Sequence, residues 1–312
     1  MNILGIHHIT AITKDAQTNI DFYTKVLGLR LVKLTVNADD PSAYHLYFGD
    51  ATGTPGTIMT FFAWPGLNAG SAGTRMATQI SFKVPPDSLE FWEDHLGRHH
   101  IEQLGMLTNM EEDHITFEDL DGHLLRLVET EDEVPDWQFW TAGDIPKECA
   151  IRGLHGIRLG YKEASKTKSF LEQTCGFKPA RTHRNIEEYT NGHTHIYLQT
   201  GHQIPQGIPG TGTIHHVAWQ VTDDDAYRNA RIELMKAGIY STEQTDRSYF
   251  HSIYFREPGG VLFEISTNGP GFSVDEDMDK LGTKLVLPPQ YESLRETIEN
   301  QLPKLILPEY YH

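Results

Sequence analysis

The chain has 312 residues, long enough for two ordinary domains or for several small units sharing cores. Its 26 basic against 43 acidic side chains give a formal net charge of −17, which argues against nucleic acid or an anionic membrane surface as a partner. Two cysteines, Cys149 and Cys175, cannot build a disulfide framework or a four-cysteine zinc site, so a reducing, cytoplasmic setting is expected. The first residues lack the basic start and apolar run of a secretory leader. Nowhere do about 18 apolar residues run together, as a membrane-spanning helix requires.

In chain order, the alternating segment Ile6-His7-His8-Ile9-Thr10-Ala11-Ile12 predicts a strand. The amphipathic set Ile20, Phe22, Tyr23, Val26 and Leu27 then predicts a helix, closed by Gly28. Strand-like runs follow at 30–36 and 43–48, then a turn through Gly56 and a strand over 57–62. This βαβββ order recurs three more times, with opening strands around Gln79, Gly156 and His216. Helix-closing glycines are expected at Gly97, Gly176 and Gly238, and turn glycines before the last strands at Gly122, Gly192 and Gly260. From opening position to helix-closing glycine the four intervals are 20, 18, 20 and 22 residues, a regularity that marks a genuine repeat.

Residues 1–130 therefore read as units one and two, and 151–267 as units three and four. Between them lies an acidic linker, 131–150, carrying Pro135 and Pro146, and residues 268–312 form a C-terminal extension with a helix near Tyr291–Gln301. Each unit has one sheet face that needs cover, so the expected fold is α+β: four βαβββ modules paired into two curved mixed-sheet barrels, with helices outside.

Equivalent positions of a repeat should carry similar residues unless some have acquired a task. The inward position of the opening strand is His8, Gln79, Gly156 and His216; that of the last strand is Thr60, Arg126, roughly Ile196 and Glu264. Units two and three offer no set of metal ligands, whereas units one and four together offer two histidines and a carboxylate. Glu264 lies in the otherwise apolar run Val261-Leu262-Phe263-Glu264-Ile265, where an unpaired charge is costly; a metal ion or a salt bridge to Arg247 would relieve it. Period-two alternation leaves either face of that strand free to be the inward one, and lets only one member of each His-His pair enter directly. Two histidines and one carboxylate with open positions form the facial triad of non-heme Fe(II) oxygenases, though Zn(II), Mn(II) or Ni(II) suits the same donors. Phe61, Phe62 and Trp219 are candidates to line or back such a site.

The Ile-His-His-Ile-Thr opening, the fourfold repeat and the stretch Ser252-Ile253-Tyr254-Phe255-Arg256-Glu257-Pro258-Gly259-Gly260-Val261-Leu262-Phe263-Glu264 resemble the vicinal oxygen chelate superfamily. Within it the chain is similar, over nearly its whole length, to the ring-cleaving dioxygenases of hydroquinones, including the methylhydroquinone-resistance type. Catechol-type members draw their ligands from units three and four, and Gly156 breaks that pattern here. The hydroquinone group pairs unit one with unit four, and its ligands fall on His8, His216 and Glu264. The resemblance implies Fe(II) as cofactor, with Mn(II) or Zn(II) acceptable substitutes in a recombinant preparation. It implies a small aromatic substrate and dioxygen as reactants, a homo-oligomer being compatible, and a surrounding set of His7, Thr10, His215, Arg247 and Tyr254. His7 and His215 are expected behind the ligands, orienting them or relaying protons. Arg247 is expected to stabilise a phenolate, and Tyr254 to hydrogen-bond an oxygen. Competing readings are a metal-dependent isomerase or thiol transferase of the glyoxalase kind, and a metal-free protein that sequesters an aromatic compound. His251, close by in sequence, is given no role.

Overall fold

A computed structural model describes residues 1–109, 112–140 and 142–309. The first unit comprises β1 (Gly5–Thr13), α1 (Ala16–Asp21, continued by a π turn Phe22–Val26), β2 (Arg30–Val36), β3 (Tyr44–Gly49) and β4 (Ile58–Ala63). The second comprises β5 (Met76–Val84), α2 (Leu89–Arg98), β6 (Gln103–Asn109), β7 (Glu112–Glu118) and β8 (Leu124–Glu129). The third is β9 (Gly153–Tyr161), α3 (Ser165–Gln173), β10 (Lys178–His183), β11 (Ile186–Thr190) and β12 (His195–Thr200). The fourth is β13 (Ile214–Val221), α4 (Asp224–Lys236), β14 (Thr245–Asp246), β15 (Phe250–Arg256) and β16 (Leu262–Pro270).

The units pair across the chain rather than along it. One eight-stranded sheet runs β14-β15-β16-β13-β1-β4-β3-β2, joining units four and one; the other runs β10-β11-β12-β9-β5-β8-β7-β6, joining three and two. In each, the two opening strands meet antiparallel at the centre, β1 on β13 and β5 on β9. Each opening strand also pairs in parallel with its own unit's last strand. Alternation then sorts the faces: Ile9 and Ala11 of β1 are fully buried in the apolar core, while His8 and Thr10 occupy the opposite, concave face.

Every opening strand carries a β-bulge just before its inward residue. The central ladders skip His7 and His215 in one sheet, and Thr78 and His155 in the other. A bulge inserts one extra residue and re-aims its side chain, so strict two-sided alternation fails at these four places. Of the two pairs, His8 and His216 line the pocket described below and His7 and His215 do not.

The turn glycines Gly56, Gly122, Gly192 and Gly260 all adopt positive φ, between 89° and 98°, a conformation that penalises any residue with a Cβ. Gly97 departs from the expected pattern: α2 continues through it to Arg98, and His100 takes the left-handed position at φ 59° instead. The unit-three equivalent of Glu264 is Tyr197 rather than Ile196. Tyr197 pairs with Arg158 as Glu264 pairs with Ala218, and Ile196 is buried in the apolar core.

Residues 142–150 run from unit one, where Ile145 lies beside Gly28, to unit two, where the Trp92 indole N–H donates to the Cys149 carbonyl (2.9 Å). The C-terminal extension wraps unit one and includes a helix, α5 (Arg295–Gln301), after which Pro303 accepts from the Tyr44 hydroxyl (2.8 Å). The fully buried Lys33 ammonium pairs with Asp275 and the buried Glu276, Leu285 bridges to Leu34, and Tyr291 donates to the Ala38 carbonyl (3.0 Å).

Candidate metal centre

β1, β13 and β16 bring His8, His216 and Glu264 together on the concave face of the first sheet, all three buried. The Glu264 Oε2 atom lies 2.9 Å from His216 Nε2 and 3.5 Å from His8 Nε2, and the two Nε2 atoms are 3.4 Å apart. Three donors at right angles, each about 2.1 Å from one cation, stand about 3.0 Å apart, so this spacing is that of a facial ligand set.

Tautomer logic strengthens the fit. His7 Nε2 lies 3.1 Å from the Thr267 carbonyl, which can only accept, so His7 carries its proton there and presents a bare Nδ1. That Nδ1 is 2.9 Å from His8 Nδ1, which must therefore donate, leaving a lone pair on His8 Nε2. His8 Nε2 thus has no proton to offer the Glu264 Oε2 atom, which is fully buried and, among the described residues, accepts no hydrogen bond of good geometry. Two facing lone pairs in a buried site call for a cation between them. Burial lowers the His7 imidazole to about 3 and lowers His216, which favours the neutral, ligating forms. Burial alone would raise the Glu264 carboxyl, so its ionised, ligating form depends on positive charge at the site.

The remaining expected residues sort by contact. His215 Nδ1 is 2.8 Å from His216 Nδ1, the counterpart of His7 on His8, but His215 is exposed. Thr10 pairs in register with Thr60 and its hydroxyl bonds that of Thr60 (2.8 Å). Tyr254 lies opposite Glu264 on β15, its ring 5.6 Å from that of His216. Arg247 donates Nε–H to the Tyr254 hydroxyl (3.1 Å) and pairs with Asp39 (3.2 Å), not with Glu264. A pocket of about 80 Å³ opens onto the cluster, lined by Thr10, Arg247 and Tyr254, with His45, Tyr47 and Phe62 added by the fold. Phe61 and Trp219 sit in the apolar core instead, and His251 pairs with Asp224 (2.7 Å).

Sequence reading missed several participants. Ser252 and Ser266 (2.7 Å) both donate to Glu264 Oε1, which fixes the carboxylate so that Oε2 points at the imidazoles. The i+2 spacing of Ser266 from Glu264 was a signal; the cross-strand neighbour Ser252 had none. Phe250 packs against both His7 (4.9 Å) and His8 (5.0 Å). Pro288 and Gln290 of the C-terminal extension reach the pocket mouth.

Units two and three also hold a convergence of ligand-type groups, contrary to expectation. Glu112, His155 and His195 approach within 4.8 Å of one another in the second sheet. The repeat positions do not expose it, because His155 occupies a bulge and Glu112 comes from a third strand. Its carboxylate is already engaged by Arg126, Arg181 (2.7 Å) and Tyr197 (2.9 Å), an ion-pair network that opposes a further cation.

Comparison with known proteins follows the same lines. A family model described as the glyoxalase/bleomycin resistance protein/dioxygenase superfamily matches residues 5–127 and 153–265. MhqO of Bacillus subtilis (strain 168), provisionally named a ring-cleaving dioxygenase, is 40% identical over 303 residues, covering 96% of each chain. The chlorohydroquinone/hydroquinone 1,2-dioxygenase of Sphingobium indicum is 33% identical, covering 94% of each. A crystal structure of a provisionally named dioxygenase from Bacillus subtilis superposes with a TM-score of 0.94 at 39% identity, over 99% of both chains. Glyoxalase I from Zea mays shares the fold, with a TM-score of 0.62 at 13% identity over 84% of this chain and 92% of that one.

Proposed function

Since the chain belongs to the glyoxalase/bleomycin resistance protein/dioxygenase superfamily, we propose that it is a non-heme Fe(II)-dependent dioxygenase that cleaves hydroquinone-type rings with dioxygen. The observation that carries this reading is the triad itself: three ligand atoms within 3.5 Å of one another, with no proton available between His8 Nε2 and Glu264 Oε2. The names of relatives at 33–40% identity support it. His8, His216 and Glu264 would hold the metal; bound there, Fe(II) supplies the Lewis acidity that favours an ionised phenol and the redox capacity that dioxygen chemistry needs.

The rest is the work of the protein's own groups. Phe62 and Phe250 give the pocket apolar walls against which an aromatic ring can stack while water is excluded. Tyr254 and Arg247 form a hydrogen-bonded pair at the rim, placed to stabilise a phenolate or developing carboxylate. Thr10, on the same strand face as His8, offers a hydroxyl to the oxygen that ionises. A glyoxalase-type site favours a fourth protein ligand. The equivalent position here is Thr60, whose hydroxyl is committed to Thr10 and His45 (3.0 Å).

The test is anaerobic purification, metal analysis and Fe(II) reconstitution, followed by oxygen-uptake measurements on a panel of hydroquinones and catechols. Stoichiometric uptake with a hydroquinone and formation of a ring-opened oxo acid are expected. A fully metallated protein that consumes no oxygen, but turns over a glutathione hemithioacetal, would overturn the proposal.

A further inference from the structure

One group in the pocket has no part in the proposal above. His45, on β3, uses both ring nitrogens: Nε2 lies 3.0 Å from the Thr60 hydroxyl and Nδ1 3.0 Å from the Tyr47 hydroxyl. Thr60 in turn bonds Thr10 at 2.8 Å. The result is an unbroken run, Thr10–Thr60–His45–Tyr47, whose two ends both open on the pocket beside the triad.

Each link can be polarised in either sense. In one arrangement Tyr47 donates to Nδ1, Nε2–H donates to Thr60, Thr60 donates to Thr10, and the Thr10 proton faces the pocket. In the other every donor reverses: Thr10 accepts at the pocket, the imidazole proton sits on Nδ1, and the Tyr47 proton faces the pocket. Hydroxyls and a neutral imidazole permit both, whereas a carboxylate or an ammonium in the run would permit only one. Burial pushes His45 well below the ordinary histidine range. The ring can therefore pass a proton by exchanging tautomers without becoming a cation.

We propose that Thr10, Thr60, His45 and Tyr47 form a proton relay between two points on the pocket wall, driven by tautomer exchange at His45. The inference rests on the ring-cleavage reading. When a hydroquinone hydroxyl ionises, its O–H bond breaks and the proton goes to Thr10. Thr10 passes its own proton to Thr60, Thr60 to His45 Nε2, and His45 Nδ1 to Tyr47, whose proton passes to water in the pocket. Ring opening with dioxygen to an oxo acid keeps every hydrogen of the substrate, so the product regains one proton; the chain runs backwards and is reset. Thr10 is the member that touches substrate, while Thr60, His45 and Tyr47 act through it.

His45→Gln is the decisive variant, because an amide keeps one hydrogen bond in each direction but has no second tautomer. With hydroquinone as substrate, kcat is expected to fall by about 10²-fold, the lower range for general acid–base catalysis, with KM little changed. Thr60→Val and Tyr47→Phe should each show a similar loss. The Thr60→Val/Tyr47→Phe double variant should be no worse than either alone, since a chain broken once is broken. Independently of turnover, ¹⁵N NMR of histidine-labelled, Zn(II)-loaded protein should show His45 neutral and averaged between tautomers, and frozen in one tautomer in Tyr47→Phe. Near-normal kcat in His45→Gln, additive losses, or a single fixed tautomer in the wild type would overturn the relay. If the wild type consumes no oxygen, the ring-cleavage reading fails, and the NMR measurement still decides whether the run exchanges.

Discussion

Replacing His7 by leucine removes the acceptor that sets the tautomer of His8. In the wild type the Thr267 carbonyl fixes His7 as the Nε2–H form (3.1 Å), and His7 Nδ1 accepts the His8 Nδ1–H (2.9 Å). In His7→Leu the Nδ1–H of a buried ring is left without a partner, which costs about 1–3 kcal/mol of stability. The ring is also free to place its proton on Nε2, the atom that faces Glu264 Oε2. Loss of such an outer partner weakens metal binding by about 10–100-fold, or about 1.4–2.8 kcal/mol. His215→Leu makes the internal control: its ring is exposed, so water can take its place against His216 and the loss should be smaller. Anaerobic competition titration against a fluorescent chelator reads the affinity, and circular-dichroism melts read the stability. If folded His7→Leu binds metal as tightly as the wild type, or His215→Leu is the more damaging change, the tautomer argument is wrong.

Other contacts yield further expectations. Ser266→Ala removes a charge-assisted bond to Glu264 Oε1 (2.7 Å) and should destabilise the protein by about 1.5–3 kcal/mol in urea melts, with Ser252→Ala similar; an unchanged midpoint for both would remove the serines from the account. Lys33→Met leaves Glu276 buried without its cation, which costs about 3–5 kcal/mol. It should also loosen the C-terminal extension, read as faster limited proteolysis within 271–309; an unchanged cleavage pattern would show that other contacts hold that segment. Burial lowers His155 to about 4 from its ordinary 6.5, so the unfolded chain binds the extra proton between these values. Stability should therefore rise with pH from about 4 to 6.5, with on the order of 3 kcal/mol lost once pH falls below the lower value. Urea melts across that range should show a shallower dependence in His155→Phe, and an identical slope would exclude His155 as its source.

How much of this was legible beforehand depends on the range of the interaction. Period-two alternation, amphipathic helical spacing and turn glycines are local, so the four βαβββ units and their inward positions could be read directly; Gly56, Gly122, Gly192 and Gly260 all take the backbone conformation their residue type permits. Gly97 and Ile196 misled because a helix end and a turn each differ by a residue from their counterparts. His8, His216 and Glu264 stood out because a repeat exposes what has changed at equivalent positions, and the fold brings those three side chains together.

Tertiary structure decided the rest. The bulges at His7 and His215 arise from how β1 and β13 align across the central ladder, and without them neither pair could bond Nδ1 to Nδ1. Ser252 reaches Glu264 only across a strand pairing, and His45 meets Thr60 only because β3 lies beside β4. Pro288 and Gln290 come to the pocket through an extension anchored by Lys33, some 240 residues earlier in the chain. Donor type and spacing along a strand are written in the sequence; register between strands, and therefore the tautomer and aim of each donor, exists only once distant strands have paired.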